Sequence, residues 1–193
     1  MHFNKHLDLD DKHAFLGGSN HHWMNYTPEK LIESWENHKA KAKGTELHKL
    51  AEGLIRNKIK MPKNKDAFNA YVNDAIAYNM TPEVHLVYSD ICFGTADAIS
   101  FNKNVLRIHD LKTGKTPPSM KQLLFYAGVF FLEYRAQEKL DVYKTKVELR
   151  IYQKDMPVVF YRPEPDEVMT IIHKIIESNN VLLEHIKGGV QNV

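Results

Sequence analysis

The residues best suited to chemistry lie in the stretch 94–126. Asp97 and Asp110 are carboxylates, and Lys112 follows the second carboxylate by two positions. Residues two apart in a strand leave by the same face, so Asp110 and Lys112 share a side. Carboxylates are the hard ligands that Mg²⁺ or Mn²⁺ prefers, and a lysine beside them can meet an anionic substrate. The alternative is a pair of strand-end acids facing solvent, with Lys112 neutralising Asp110.

Two short apolar segments must position these residues. Residues 95–101 and 104–111 have the character of strands, and Asn102-Lys103 between them suits a hairpin turn. Such a hairpin would bring Asp97 near Asp110. A divalent cation would then neutralise two carboxylates that are costly to leave half-buried together.

A histidine upstream is a further candidate ligand. His48 lies on a predicted helix over 45–59, which Gly44-Thr45 separates from the preceding helix. A lone histidine on such a helix is more often a packing residue than a ligand. Glu52 is four residues later on the same helix face, where it could accept a hydrogen bond from His48, bind a metal through water, or simply face solvent. Glu83, ahead of the predicted first strand, could also approach the site.

A second predicted helix, over 120–137, follows the hairpin, with Ser119 as its candidate N-cap. Gln122 and Tyr126 are four residues apart, so they share a face of this helix. The alternative to a functional role is a face that exposes Gln122 to solvent and buries Tyr126 in the core.

Four motifs together resemble the PD-(D/E)XK nuclease superfamily, in its RecB-like branch. GTELHKLAE at 44–52 is similar to the branch's upstream histidine motif, and GTAD at 94–97 to its G-x-x-D motif. IHDLKTGK at 108–115 is similar to its D-x-K-T-G motif, and Gln122 with Tyr126 to its Q-x-x-x-Y motif. The motifs occur in the family's order and cover about half of the chain, although D-x-K alone is common by chance.

The resemblance implies a set of roles. His48, Asp97, Asp110 and the Leu111 carbonyl would hold Mg²⁺ or Mn²⁺, and Lys112 would orient or help deprotonate the attacking water. Residues expected to support the site or touch the substrate are Glu52, Lys115, Gln122 and Tyr126.

The resemblance also implies the fold. This is an α/β fold with a restriction-endonuclease-like αβββαβ core, in which helices flank a central mixed sheet. Extra N-terminal helices and a long C-terminal helix complete a single domain over 1–193. The periodicity of the sequence predicts the remaining elements: a helix starting at Thr27-Pro28, a helix over 65–79, a strand over 83–91, a half-exposed strand over 144–153, an edge strand over 158–161, and a helix over 166–187 closed by Gly188-Gly189.

The composition of the chain limits which kinds of protein and of site are possible. The chain has 193 residues, 43% hydrophobic and 26% charged, which is ordinary for one globular domain. Its formal net charge is only +2, so nucleic-acid contacts would require a local basic patch. The single cysteine, Cys92, excludes an internal disulfide and the four-cysteine iron–sulfur cluster that some RecB-like nucleases carry. The longest apolar run, 123–132, is too short to span a membrane, and we expect a cytoplasmic protein, in the host cytoplasm if phage-encoded.

The expected activity is that of the small phage-encoded exonucleases that the chain resembles. It would be a metal-dependent deoxyribonuclease, most simply an exonuclease, that hydrolyses phosphodiester bonds in phage recombination, repair or DNA processing. Expected partners are single- or double-stranded DNA, with a homo-oligomer and a single-strand annealing or recombination protein as further partners that the resemblance allows. The alternative is a DNA-binding or assembly module that keeps the nuclease fold without cleaving. Polarity, strand preference and the number of metal ions stay open.

Overall fold

The structure is a computed structural model that describes residues 15–16, 21–114 and 119–190. The chain divides into two compact units, Met1–Glu46 and Leu47–Val193. All described candidate site residues belong to the second unit. The expectation of a single domain stays a prediction.

A short 3-10 helix at His21–Asn25 precedes the first long helix, α1, which runs from Pro28 to Arg56. The predicted break at Gly44-Thr45 is wrong, because α1 is continuous there. A glycine inside a helix costs only about 1 kcal/mol relative to alanine, and tertiary packing of a helix face readily offsets that cost. Near the end of α1, Ala51 and Ile55 are buried.

The second unit is built around one five-stranded sheet of order β1-β2-β3-β4-β5. The β3–β4 pair is parallel and the other three pairs are antiparallel. The mixed α/β fold is therefore confirmed, and the elements occur in the αβββαβ order. After α1 the elements are α2 (Ala67–Ala77), β1 (Thr81–Ser89), β2 (Cys92–Asn102), β3 (Val105–Lys112), α3 (Lys121–Glu138), β4 (Lys146–Gln153), β5 (Val159–Tyr161) and α4 (Pro165–Val190).

Helices cover both faces of the sheet and form two hydrophobic cores. The first core joins α3 and α4 to one face of the sheet, through residues such as Leu106, Ile108, Leu123, Phe131 and Ile172. The second core joins α2 and the end of α1 to the other face, through residues such as Ala51, Tyr71, Ala98, Leu111 and Tyr152. No helix in the described part of the chain is long and apolar enough to cross a membrane.

The β2–β3 hairpin turns one residue later than its composition predicts. Asn102 pairs with Val105, so Lys103 and Asn104 form the turn in place of Asn102-Lys103. Both turn residues have positive φ, 50° and 58°. This is the requirement of a type I′ turn, whose twist matches that of the two strands it joins.

The prediction of a half-exposed β4 is wrong, because its second face is also covered. Arg150 of that face donates to Asp74 of α2 at 2.9 Å, and the Tyr152 hydroxyl donates to the same carboxylate at 2.6 Å. Glu148 is 7% exposed and pairs with Arg107 and with an arginine beyond β5. Polar side chains therefore alternate along β4 as in an exposed strand, yet they bond to protein partners.

Two predicted helix ends also differ. Met120, not Ser119, is the N-cap of α3, although the Ser119 hydroxyl accepts a hydrogen bond from the Lys121 N–H at 3.3 Å. Helix α4 continues to Val190, past the predicted stop at Gly188-Gly189.

Candidate metal and catalytic site

Three carboxylates form a row across three adjacent strands. Glu83 lies on β1, Asp97 on β2 and Asp110 on β3. Their alignment follows from the neighbouring pairs, which are Pro82 with Ala98, Val84 with Ala96, and Ala98 with His109. The predicted approach of Asp97 to Asp110 thus follows from the register, which adds Glu83 to the row.

The strands are irregular where these carboxylates lie. Ala96 and Ile99 both belong to the core beneath α3, yet residues three apart in a regular strand face opposite ways. The alternation of β2 therefore slips by one position next to Asp97. Opposite it, Glu83 has a φ of 51°, a left-handed conformation that costs an ordinary residue about 1 kcal/mol or more. Glu83 lies within β1 and not in a turn, so the neighbouring strands hold it in this conformation.

The Asp97 carboxylate also fills the gap between β2 and β3. The Leu111 N–H donates to its Oδ2 at 2.8 Å. One carboxylate oxygen is thus held by the backbone of the D-x-K strand, which fixes the side chain between the two strands. Whether the Leu111 carbonyl is a ligand stays a prediction.

His48 approaches this gap from α1. Its Nδ1 atom lies 3.5 Å from Asp97 Oδ2 and 3.8 Å from Glu83 Oε1. One ligand atom from each of these three residues lies within 4.8 Å of the others. Ligand atoms about 2.1 Å from an octahedral cation lie roughly 3 Å apart when adjacent and 4.2 Å apart when opposite. Small side-chain shifts would therefore let the three residues share one cation.

The electrostatics of the row also fit a cation. Burial, and then the charge of Asp110, raises the pKa of Asp97 to about 7. Burial likewise raises the pKa of Glu83 and that of Asp110. Among the described residues, no hydrogen bond reaches the buried Oδ2 of Asp110. The carboxylates are desolvated and repel one another, which a bound cation would relieve. Together with the imidazole nitrogen they form a set of ligands that suits Mn²⁺ and can also bind Mg²⁺.

Lys112 lies beside Asp110, as the two-residue spacing predicts. Its Nζ donates to Asp110 Oδ1 at 3.1 Å and lies 3.0 Å from Oδ2 without hydrogen-bond geometry. The same Nζ donates to Gln122 Oε1 at 2.6 Å, and Gln122 Nε2 donates to the Tyr126 hydroxyl at 3.0 Å. The face shared by Gln122 and Tyr126 therefore holds the lysine from α3.

Gly94 of the GTAD motif allows this support to form. A Cβ atom at position 94 would lie 2.8 Å from Cε1 of Tyr126, closer than real Cβ atoms come to a neighbour. The Tyr126 ring therefore lies against the bare backbone of β2. The GTAD and Q-x-x-x-Y motifs thus meet directly in space.

The roles of two further supporting residues stay predictions. Glu52 accepts a hydrogen bond from Arg56 Nε at 2.9 Å and is not a member of the group of His48, Glu83 and Asp97, although its charge adds to burial in raising the pKa of Glu83. Lys115 lies outside the described residues.

Comparison of the chain with protein-family models and with curated proteins finds no match. The resemblance therefore depends on the four motifs and on where the fold puts their residues.

Proposed function

We propose that this protein is a metal-dependent deoxyribonuclease of the RecB-like type. The observation that carries the proposal is the approach of His48, Glu83 and Asp97 beside Asp110 and Lys112, from four separate elements. A structural role does not account for this grouping, because buried carboxylates that repel one another destabilise the fold unless a cation neutralises them.

The chain offers an N-and-O donor set for the cation. His48, Glu83 and Asp97 would hold it, with Asp110 next to them. When bound, the cation stabilises the negative charge that builds on phosphate oxygens as a phosphodiester is cleaved.

Lys112 is the residue of the chain that would bring a positive charge to the scissile phosphate. Asp110 and Gln122 hold its ammonium group in one place, so it need not be ordered when the substrate arrives. In the complex it would hydrogen-bond the scissile phosphate or the attacking water. Water oxygen bonds to phosphorus as the bond to the 3′-oxygen breaks, which leaves a 5′-phosphate and a 3′-hydroxyl.

Incubation with DNA tests the proposal. Linear duplex, linear single-stranded and circular DNA, labelled at one end or internally, would be followed over time with Mn²⁺, Mg²⁺ or EDTA. We expect metal-dependent cleavage with 5′-phosphate products; loss of linear DNA while circles persist would identify an exonuclease.

Matched lysine variants separate this activity from a contaminant. Lys112→Ala removes the ammonium group that is proposed to act in catalysis. Lys144→Ala removes a lysine whose side chain is 80% exposed and whose position in the sequence is far from Glu83, Asp97 and Asp110. We expect Lys144→Ala to cleave like the wild type. Intact DNA with the wild type under every metal, or equal cleavage by Lys112→Ala, would refute the nuclease proposal. Tight DNA binding without cleavage would instead favour the binding module.

A further inference from the structure

The β1–β2 hairpin turns one of its faces towards α3. Leu86 of β1 and Ala96 of β2 are buried in the first core, and Gly94 lies against an aromatic ring of α3. Side chains alternate along a strand, so the residues between these positions leave by the other face. The end of α1, which carries His48, packs on that other side of the sheet through Ala51.

Two directly opposed pairs of side chains lie on this other face. His85 of β1 is paired with Thr95 of β2, and Val87 is paired with Phe93. A hydrogen bond of 2.8 Å joins His85 Nδ1 to the Thr95 hydroxyl and holds the imidazole over the strands. Phe93 is 62% exposed and Val87 is 43% exposed, so the second pair presents an aromatic ring to solvent on an apolar surface.

The two pairs continue the carboxylate row along the strands. On β1, Glu83 precedes His85 by two residues. On β2, Asp97 follows Thr95 by two residues and Phe93 by four. A strand rises about 3.3 Å per residue, so Phe93 lies about 13 Å along β2 from Asp97. Beyond the proposed cation site, the face therefore offers first hydrogen-bonding groups and then an exposed ring.

The edge of β1 is closed beside these pairs. The Val87 N–H donates to the Glu133 carboxylate of α3 at 2.8 Å. A protein strand that joins a sheet needs the free backbone groups of its edge, so this bond disfavours strand addition at Val87. A ligand would therefore meet the side chains of the face and not the backbone of the edge.

We propose that the DNA strand bound at the carboxylate row stacks one of its bases on Phe93. The inference rests on the proposed function and adds a base-binding subsite to it. A nucleotide joins a charged phosphate and a polar sugar to an aromatic base, which is the order of the groups along this face. The His85–Thr95 pair can hydrogen-bond the sugar and phosphate oxygens. Because every base has an aromatic face, the subsite would hold a strand of any sequence.

Removal of the ring tests the inference. The affinity for a single-stranded oligonucleotide would be measured in Ca²⁺ by fluorescence anisotropy. Phe93→Ala should weaken binding about 5- to 150-fold, the usual effect of losing one stacked base, with an unchanged circular dichroism spectrum. Phe93→Trp keeps an aromatic face and should bind at least as tightly as the wild type.

Tyr143→Ala is the matched control, because it removes another exposed aromatic side chain. Tyr143 is 64% exposed and precedes β4, whose first residue pairs with the first residue of β3, at the end of β3 remote from Asp110. We expect this variant to bind DNA like the wild type.

A strand without bases distinguishes stacking from a structural effect. An abasic strand of the same length keeps the sugars and phosphates and offers nothing to stack. The wild type should bind it more weakly than the intact strand. Phe93→Ala and the wild type should then have equal affinity for the abasic strand.

The possible results separate the subsite from the nuclease function. Wild-type affinity of Phe93→Ala, or an equal loss on the intact and the abasic strand, would overturn the stacking role and leave the nuclease function standing. Self-association of the wild type that Phe93→Ala abolishes, with DNA affinity unchanged, would assign the face to a second copy of the chain and also overturn it. Base-dependent binding through Phe93 without cleavage under any metal would support the subsite and overturn the nuclease function.

Discussion

Asp97→Asn should make the metal-free protein more stable while it removes metal binding. Asn has nearly the shape of Asp, and its side-chain oxygen can still accept from the Leu111 N–H. The substitution removes one negative charge that faces Glu83, Asp110 and His48. It therefore isolates the electrostatic cost of keeping ionised acids together in the absence of a cation.

The size of this effect follows from the pKa of Asp97. It rises from 3.8 in the unfolded chain to about 7 in the fold, so the folded state binds the proton more tightly. The free energy of unfolding then falls as the pH rises from about 4 to 7, and stays level above that range. A shift of about three pKa units corresponds to at most roughly 4 kcal/mol, since each unit is worth 1.36 kcal/mol.

Urea unfolding at pH 5 and pH 8, in EDTA and in Mn²⁺, measures the effect. In EDTA at pH 8 we expect the free energy of unfolding of Asp97→Asn to be about 2–4 kcal/mol higher than that of the wild type. This corresponds to a Tm higher by roughly 4–16 °C. The difference should shrink at pH 5, and it should reverse in Mn²⁺, because only the wild type gains from binding the ion. Asp155→Asn, in an exposed turn with a φ of 61°, is the charge-matched control and should follow the wild type.

One outcome would refute this reasoning. If Asp97→Asn were destabilised equally at both pH values in EDTA, the carboxylate would be a structural anchor for Leu111 and not a strained ligand.

Three further predictions concern the support of the site. Lys112→Ala should lower the single-turnover cleavage rate by about a thousandfold, by analogy with other losses of transition-state charge stabilisation. DNA affinity in Ca²⁺ should fall far less. An equal loss of cleavage rate and of DNA affinity would point to a binding role. Gln122→Ala should free the lysine and slow cleavage about tenfold without changing Mn²⁺ affinity, and an unchanged rate would contradict the bracing role. Gly94→Ala should cost about 1–3 kcal/mol in urea unfolding, because the new Cβ displaces the Tyr126 ring. The same change should cost less in a Tyr126→Ala background, and an equal cost in both backgrounds would contradict the contact.

Local spacing was enough to predict much of the fold. Periodicity and turn composition predicted the strands, the hairpin and the helix that follows it. The predicted ends of the two hairpin strands differ from the observed ends by one to three residues. The errors arose where tertiary packing outweighed local preference. Gly44-Thr45 did not break α1, and the polar face of β4 became covered by α2 and neighbouring strands. No local pattern reveals whether another element will cover a polar face.

The sequence by itself determined that Asp110 and Lys112 share a side, because the two-residue period of a strand is a property of its covalent geometry. Only the tertiary structure decided that Glu83 lies opposite Asp97 and that His48 of α1 approaches both. Those relations depend on which strands pair and which helix covers them. Burial and the nearness of like charges, which raise the carboxylate pKa values, exist only once distant segments have packed together.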